Sequence, residues 1–356
     1  MRKNLLFIMT VFWTMGMGIA QAEPVKIGFV YVAPVGQAGY TYQHDLARQR
    51  IAEKFGDKVQ VHFVENVPEG RAAEKVFTDF AQKGYKLVFA TTLGYMSSVL
   101  KVAKKFPDIA FEHATGYKRY NNLNTYMPRY YEGRYLMGIV AGKMTRSNVI
   151  GYVASYPVPE IVRGINAFTQ GVRSVNKQAV VRVKWVNSWY APEKERKAAN
   201  HLIAAAADVL TFHVDSPATV EAAQAAGIYA LGYHSDLSKY GPDAHLTSMV
   251  TNWLPYYMKR VDEVLKGMWH GNQNTRFGLK EDAIQIAPFH PVVPQAVQAL
   301  VMKAKADIIA GKLNPFAGPL YDNDGRLRIK NGTQMSQKQL DTFNWFVAGV
   351  DDKLPN

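Results

Sequence analysis

The sequence predicts an α/β protein of two doubly wound lobes, each a parallel sheet with helices on both faces. Three observations predict it. The chain has 356 residues, which suits two domains of the usual roughly 100–200 residues. Short β-branched and aromatic runs alternate with longer amphipathic stretches, and the alternation starts afresh near Val149. Strict β–α alternation implies parallel strands joined by right-handed crossovers.

Lys26–Val32 reads as the first strand, ending in loop residues 33–39, and a helix over 41–55 follows with Leu46, Ile51 and Phe55 on one stripe. Strands are then expected at 59–64, 87–90 and 110–113, with helices over 70–83, 96–106 and 132–144. The second series has strands at 149–153, 180–186, 209–212 and 229–232, separated by helices over 161–174, 191–206 and 218–226. Beyond Gly241 a strand at 246–250, a helix at 254–266 and a strand at 283–286 are too few for a third domain, so they complete the two sheets. Residues 314–332, rich in Asn, Gly and Asp, read as a surface loop.

Residues 1–22 are expected to be a cleaved signal peptide. Arg2 and Lys3 give the basic start, Leu5–Ala20 the apolar run, and Ala20-Gln21-Ala22 the small residues before the cut. The run is shorter than the roughly 20 residues needed to span a bilayer. Its loss would take the formal charge from +13 to +11. The chain has no Cys, which excludes a disulfide framework, thiolate metal sites, a Cys nucleophile and a lipid-modified N-terminal Cys. Export without a lipid anchor places the mature protein in a periplasm.

Open parallel sheets bind ligands just beyond the carboxyl ends of their strands. Those positions hold Tyr40 and Tyr42 after the first strand, Gly94 after the third, Tyr156 after the first strand of the second lobe, and Asn187 and Trp189 after the next. His213-Val214-Asp215 and Tyr233-His234-Ser235-Asp236 close two further strands. A flat heterocycle between two rings gains about 1–3 kcal/mol per stack, and a carboxylate accepts from its N–H groups. Tyr40 and Trp189 with Asp236 as acceptor would form such a clamp. Each ring alone could be packing, and Asp236 alone a helix cap; the combination at equivalent strand ends points to a site.

The segments Lys26–Val30, Ala38–Asp45, Glu112–Tyr117, Tyr131–Tyr135, Ile165–Phe168 and Trp185–Trp189, in that order, resemble the basic membrane protein family. These are substrate-binding proteins of ABC importers for nucleosides and purines. The resemblance implies a type I periplasmic-binding fold with two lobes joined by a three-segment hinge: residues 23–144 plus about 248–275, and 145–247 plus about 276–356. It also implies base stacking by Tyr40 and Trp189, polar contact from Asp236, a purine ligand with adenine foremost, and an ABC permease as partner. A ribose-binding Lys is expected near the second crossover, but Ser248–Trp253 has none, which favours a free base. Asn252 is taken as a ligand-binding candidate there, and a monomer is expected.

Other chemistry finds little footing. Gly-x-Ser-x-Gly, P-loop and Gly-x-Gly-x-x-Gly motifs are missing from the sequence, so no catalytic residue, cofactor or metal ligand is assigned. His213/Asp215 and His234/Asp236 read as hydrogen-bonded loop residues before metal ligands. The basic residues are dispersed, for example Lys101, Lys104, Lys105, Lys143 and Lys194, and no nucleic acid partner is expected. A receptor for a nucleoside, sugar or other small polar ligand, a sensor-kinase ligand module and a periplasmic nucleoside hydrolase remain as alternatives.

Overall fold

The computed structural model describes residues 23–355; the expected signal peptide lies outside them. In chain order the elements are β1 (Val25–Val30), α1 (Tyr40–Phe55), β2 (Val59–Val64), α2 (Arg71–Gln82), β3 (Leu87–Ala90), α3 (Met96–Lys105), β4 (Ala110–Ala114), β5 (Leu123–Pro128) and α4 (Tyr130–Met144). There follow β6 (Val149–Ala154), α5 (Pro159–Val175), β7 (Val180–Trp185), α6 (Pro192–Ala204), β8 (Val209–His213), α7 (Ala218–Ala226), β9 (Tyr229–His234) and β10 (His245–Thr251). The chain ends with α8 (Leu254–Leu265), β11 (Asn274–Phe277), β12 (Ile284–Ile286), α9 (Gln295–Ile309), β13 (Leu320–Tyr321), β14 (Leu327–Ile329) and α10 (Gln337–Asp341).

The first sheet has the order β11-β5-β4-β3-β1-β2 and the second β12-β10-β9-β8-β6-β7. Every pairing within them is parallel except β10 with β12. All residues of β3, β4, β5 and β8 are buried, as parallel strands covered on both faces must be. This is the expected doubly wound pair of lobes.

The chain crosses between the sheets three times: after β5, between β10 and β11, and between β11 and β12. The expected division at 247/248 falls inside β10 and that at 275/276 inside β11, and each strand stays whole in one sheet. A ladder is completed before the chain can leave it, because a half-paired strand would bury unsatisfied backbone groups. Helix α4 packs along α5 at close range. A Cβ on Gly138 would meet the Phe168 carbonyl, and one on Gly171 the Tyr135 carbonyl, so both helices need glycine at their crossing.

Several elements escape the sequence pattern. The β5 run, Leu-Asn-Thr-Tyr-Met-Pro, shows neither alternation nor a continuous apolar stretch, and burial between β4 and β11 makes it a strand. β11 is a short polar edge strand. α9, built largely of good helix formers, is also absent from the sequence expectation. The expected loop over 314–332 contains the β13–β14 hairpin, whose Leu320 and Ile329 are buried in the main hydrophobic core.

Candidate functional site

The residues just past the strand ends of both sheets face one another across the interlobe cleft. Val32, Thr92 and Thr115 come from the first lobe, and Trp189, Asp215 and His234 from the second; with Tyr40 and Tyr130 they line one cavity. Its volume, open to the centre of a water-sized sphere, is ≈ 50 Å³, several times the roughly 10–15 Å³ that one water needs. Two lining residues sit in the left-handed region, Thr115 at φ 60 and His234 at φ 65. A β-branched residue there is an outlier, and such strain gathers where a site is held in shape.

Tyr40 opens α1, and its ring stands edge-on to His234 at 5.0 Å, which in turn stands edge-on to Tyr130 at 5.5 Å. Trp189 belongs to the loop after β7 and stands edge-on to Tyr156 at 4.9 Å. Its Nε1 donates to Glu69 Oε1 of the first lobe at 3.2 Å, and the same oxygen accepts from Thr92 Oγ1 at 3.1 Å. The hydroxyls of Tyr40 and Tyr130 are buried without a partner among the described residues. The cavity thus has an aromatic lining and unpaired polar atoms on two of its lining residues.

Two carboxyls serve this cavity. Glu160, in the first turn of α5, lies 3.7 Å from His213 Nε2, beyond hydrogen-bond distance, and no donor among the described residues reaches it. Burial pushes its carboxyl up, against the nearby positive charges of Arg163, Arg276 and Arg134. Asp215 accepts from the Tyr40 amide, the Thr41 amide at 3.3 Å and Thr41 Oγ1 at 2.8 Å. Burial pushes it up to about 7 despite those bonds. Burial drives His213 and His234 well below the ordinary histidine value, so both imidazoles are neutral at pH 7. Beneath them, the buried Arg134 guanidinium lies 3.5 Å from the Tyr233 ring centre and donates to the Phe212 carbonyl at 2.6 Å.

Of the residues expected from sequence, Tyr40 and Trp189 line the cavity, with Tyr156 packed on Trp189. Asp236 does not join them. It is half exposed and accepts from the Ser238 amide at 2.9 Å, a local turn bond. Tyr42 lies with Asp236 along an open groove outside the cavity. Gly94 abuts the Glu69 carboxylate at the mouth. Asn187 is exposed, with φ 51, and its amide donates to the Ser155 carbonyl at 2.9 Å. Asn252 donates to the Asp282 carbonyl at 3.1 Å and accepts from the Leu254 amide at 3.2 Å, so it braces a crossover. Sequence reasoning passed over Glu160, Asp215 and Tyr130. Asp215 stood in one of the strand-end segments already singled out, whereas Glu160 carried no signal apart from its place at a helix start.

The site thus joins two lobes by direct bonds around a small slot. Over residues 24–313 the sequence matches the family of PnrA-like ABC transporter substrate-binding proteins. The chain belongs to this family. A purine-binding protein of Brucella abortus (strain 2308) is 47% identical over 351 residues, 98% of this chain and 100% of that one. A Haloferax volcanii protein with the provisional name ABC transporter glucose-binding protein is 34% identical over 343 residues, 96% of this chain and 84% of that one. Among solved structures, an ABC transporter solute-binding protein of Aeropyrum pernix K1 superposes with a TM-score of 0.72 at 19% identity, covering 83% of this chain and 94% of that one. That likeness concerns the fold.

As an ABC transporter substrate-binding protein, the chain is not an enzyme. Further protein bonds join its two lobes across the cleft. Ser235 Oγ accepts from the Gly39 amide at 2.8 Å and from Gln43 Nε2 at 3.0 Å, beside the Asp215 and Glu69 contacts. Among the described residues no group of three or more His, Asp or Glu is arranged to hold a metal ion. Among them, too, no helix is long and apolar enough to cross a membrane.

Proposed function

We propose that the protein is a periplasmic receptor that takes a free purine base, adenine foremost, between Tyr40 and Trp189 and delivers it to an ABC permease of the inner membrane. The observation that carries the reading is Glu160: a nearly buried carboxylate on a cavity with an aromatic lining, without a donor among the described residues. A purine supplies the missing donor through its exocyclic amine or ring N–H. The small cavity and the lack of a Lys in Ser248–Trp253 support a base over a nucleoside. The purine-binding name of the Brucella relative points the same way.

Two stacked faces and two or three buried hydrogen bonds give micromolar affinity or better, about 8 kcal/mol. Calorimetry with adenine on ligand-stripped protein tests this. Wild type should bind, and Glu160→Gln should weaken binding at least about tenfold, about 1.4 kcal/mol; equal affinity for both proteins would remove Glu160 from the site.

A sugar ligand is the second reading, favoured by the name of the Haloferax relative. A thermal-shift panel of adenine, guanine, hypoxanthine, adenosine and glucose separates the two, because a ligand that binds only the native form raises the midpoint by mass action.

A further inference from the structure

The family match ends at residue 313, and the described chain continues to 355. This terminal segment is folded onto α5. Asn166 Nδ2 donates to the Trp345 carbonyl at 2.8 Å, and Asn166 Oδ1 accepts from the Val347 amide at 3.0 Å. Phe316, Phe343, Phe346 and Val347 are buried, and Val350 bridges Val181 at the edge of the second sheet.

Helix α5 carries Glu160 in its first turn and Arg163 three residues on, a spacing that puts both side chains on one face. Arg163, 5% exposed, donates from Nη1 to the Leu340 carbonyl at 2.6 Å and lies 3.8 Å from Asp341 Oδ1. Arg276, on β11 of the other sheet, donates to the same Asp341 oxygen at 3.2 Å. Among the described residues Asp341 is the one carboxylate within 4.0 Å of either guanidinium.

A poorly solvated guanidinium one turn from a poorly solvated carboxylate gains by pairing with it. Glu160 makes no such pair and faces the cavity. We propose that Asp341 is a positioning residue of the ligand site: by engaging Arg163 and Arg276 it keeps both cations off Glu160, whose carboxylate stays free for the ligand. The terminal segment thereby completes a site that it does not touch. The inference rests on the reading of Glu160 as the ligand's acceptor.

Two measurements test it. In a crystal structure of ligand-free Asp341→Asn, the Glu160 carboxylate should move to within about 4 Å of Arg163 or Arg276; a carboxylate still facing the cavity overturns the proposal whatever the ligand is. In calorimetry with adenine, Asp341→Asn should weaken binding at least tenfold and Asp341→Glu should restore it. The triple variant Asp341→Asn/Arg163→Met/Arg276→Met should recover most of the loss, because both competing cations have gone; a purely structural defect would not be repaired by further deletions. A triple variant as weak as Asp341→Asn, or an unaffected Asp341→Asn, overturns the proposal. Glu160→Gln serves as the reference. If it alone is weak, positioning fails and the reading of Glu160 stands; if it binds like wild type, that reading fails and the positioning role falls with it.

Discussion

Asp215, just past the end of β8, accepts a hydrogen bond from Thr41 Oγ1 at 2.8 Å, across the cleft between the two lobes. The bond ties the second sheet to the first turn of α1, the helix that also supplies Tyr40. Burial outweighs the three bonds to this carboxyl and raises it from 3.8 to about 7, with the neighbouring Glu195 charge adding to the rise. An acid whose value is raised in the closed form makes closure take up a proton. The contribution to closure is complete below about 3.8 and is lost as pH rises toward about 7. Each proton taken up costs affinity up to about 1.4 kcal/mol per pH unit in that window. Calorimetry at pH 6 in buffers of different ionisation enthalpy should show proton uptake on adenine binding, reduced in Asp215→Asn. Identical uptake in the two proteins would refute this role of Asp215.

Trp189 and Asp236 were paired in the sequence expectation, and the structure separates them. Trp189→Ala removes one wall of the slot and the bond to Glu69, and should weaken adenine binding at least about tenfold, about 1.4 kcal/mol. Asp236→Ala removes a local turn bond outside the cavity and should leave affinity within about twofold. Titration of both variants decides, with circular dichroism to verify their folds; a large loss in Asp236→Ala would return that residue to the site.

Gly39 precedes α1 at φ 96, a conformation open to few residues but glycine, and a Cβ there would collide with the Asp215 carboxylate. Gly39→Ala should cost roughly 1–3 kcal/mol in the closed form. Small-angle scattering at saturating adenine should show compaction for wild type and much less for the variant. Full compaction of Gly39→Ala at wild-type ligand concentrations would count against a tight α1–Asp215 junction.

The α4–α5 crossing offers a stability test away from the ligand. Gly138→Leu places a side chain against the Phe168 carbonyl and the Gly171 backbone. Overpacking of this kind costs typically 1–3 kcal/mol, occasionally more. The midpoint of thermal unfolding should fall by several degrees, and an unchanged midpoint would mean that the helices can separate freely.

Much of the architecture was legible in the residues because it follows from short-range pattern. Runs such as Leu87–Ala90 are apolar on both faces, which is the mark of a covered parallel strand. Their alternation with helices puts every strand's carboxyl end on one side, so the cleft and two of its aromatics, Tyr40 and Trp189, could be named in advance. β5 and β11 could not, since their strand character comes from their neighbours in the sheet.

The acidic residues mark the boundary most clearly. Asp215 and Asp236 each lie two residues beyond a strand, and along the chain nothing ranks one above the other. Contact with α1 of the other lobe partly buries Asp215, while a local turn claims Asp236. Glu160 sits in a helix's first turn, where the helix dipole alone justifies an acid. The sequence by itself determined the two lobes, the cleft and its aromatic walls, because period and turn chemistry act over a few residues. Only the tertiary structure decided which carboxyls face the cleft, because that depends on which strand ends meet when distant segments close on one another.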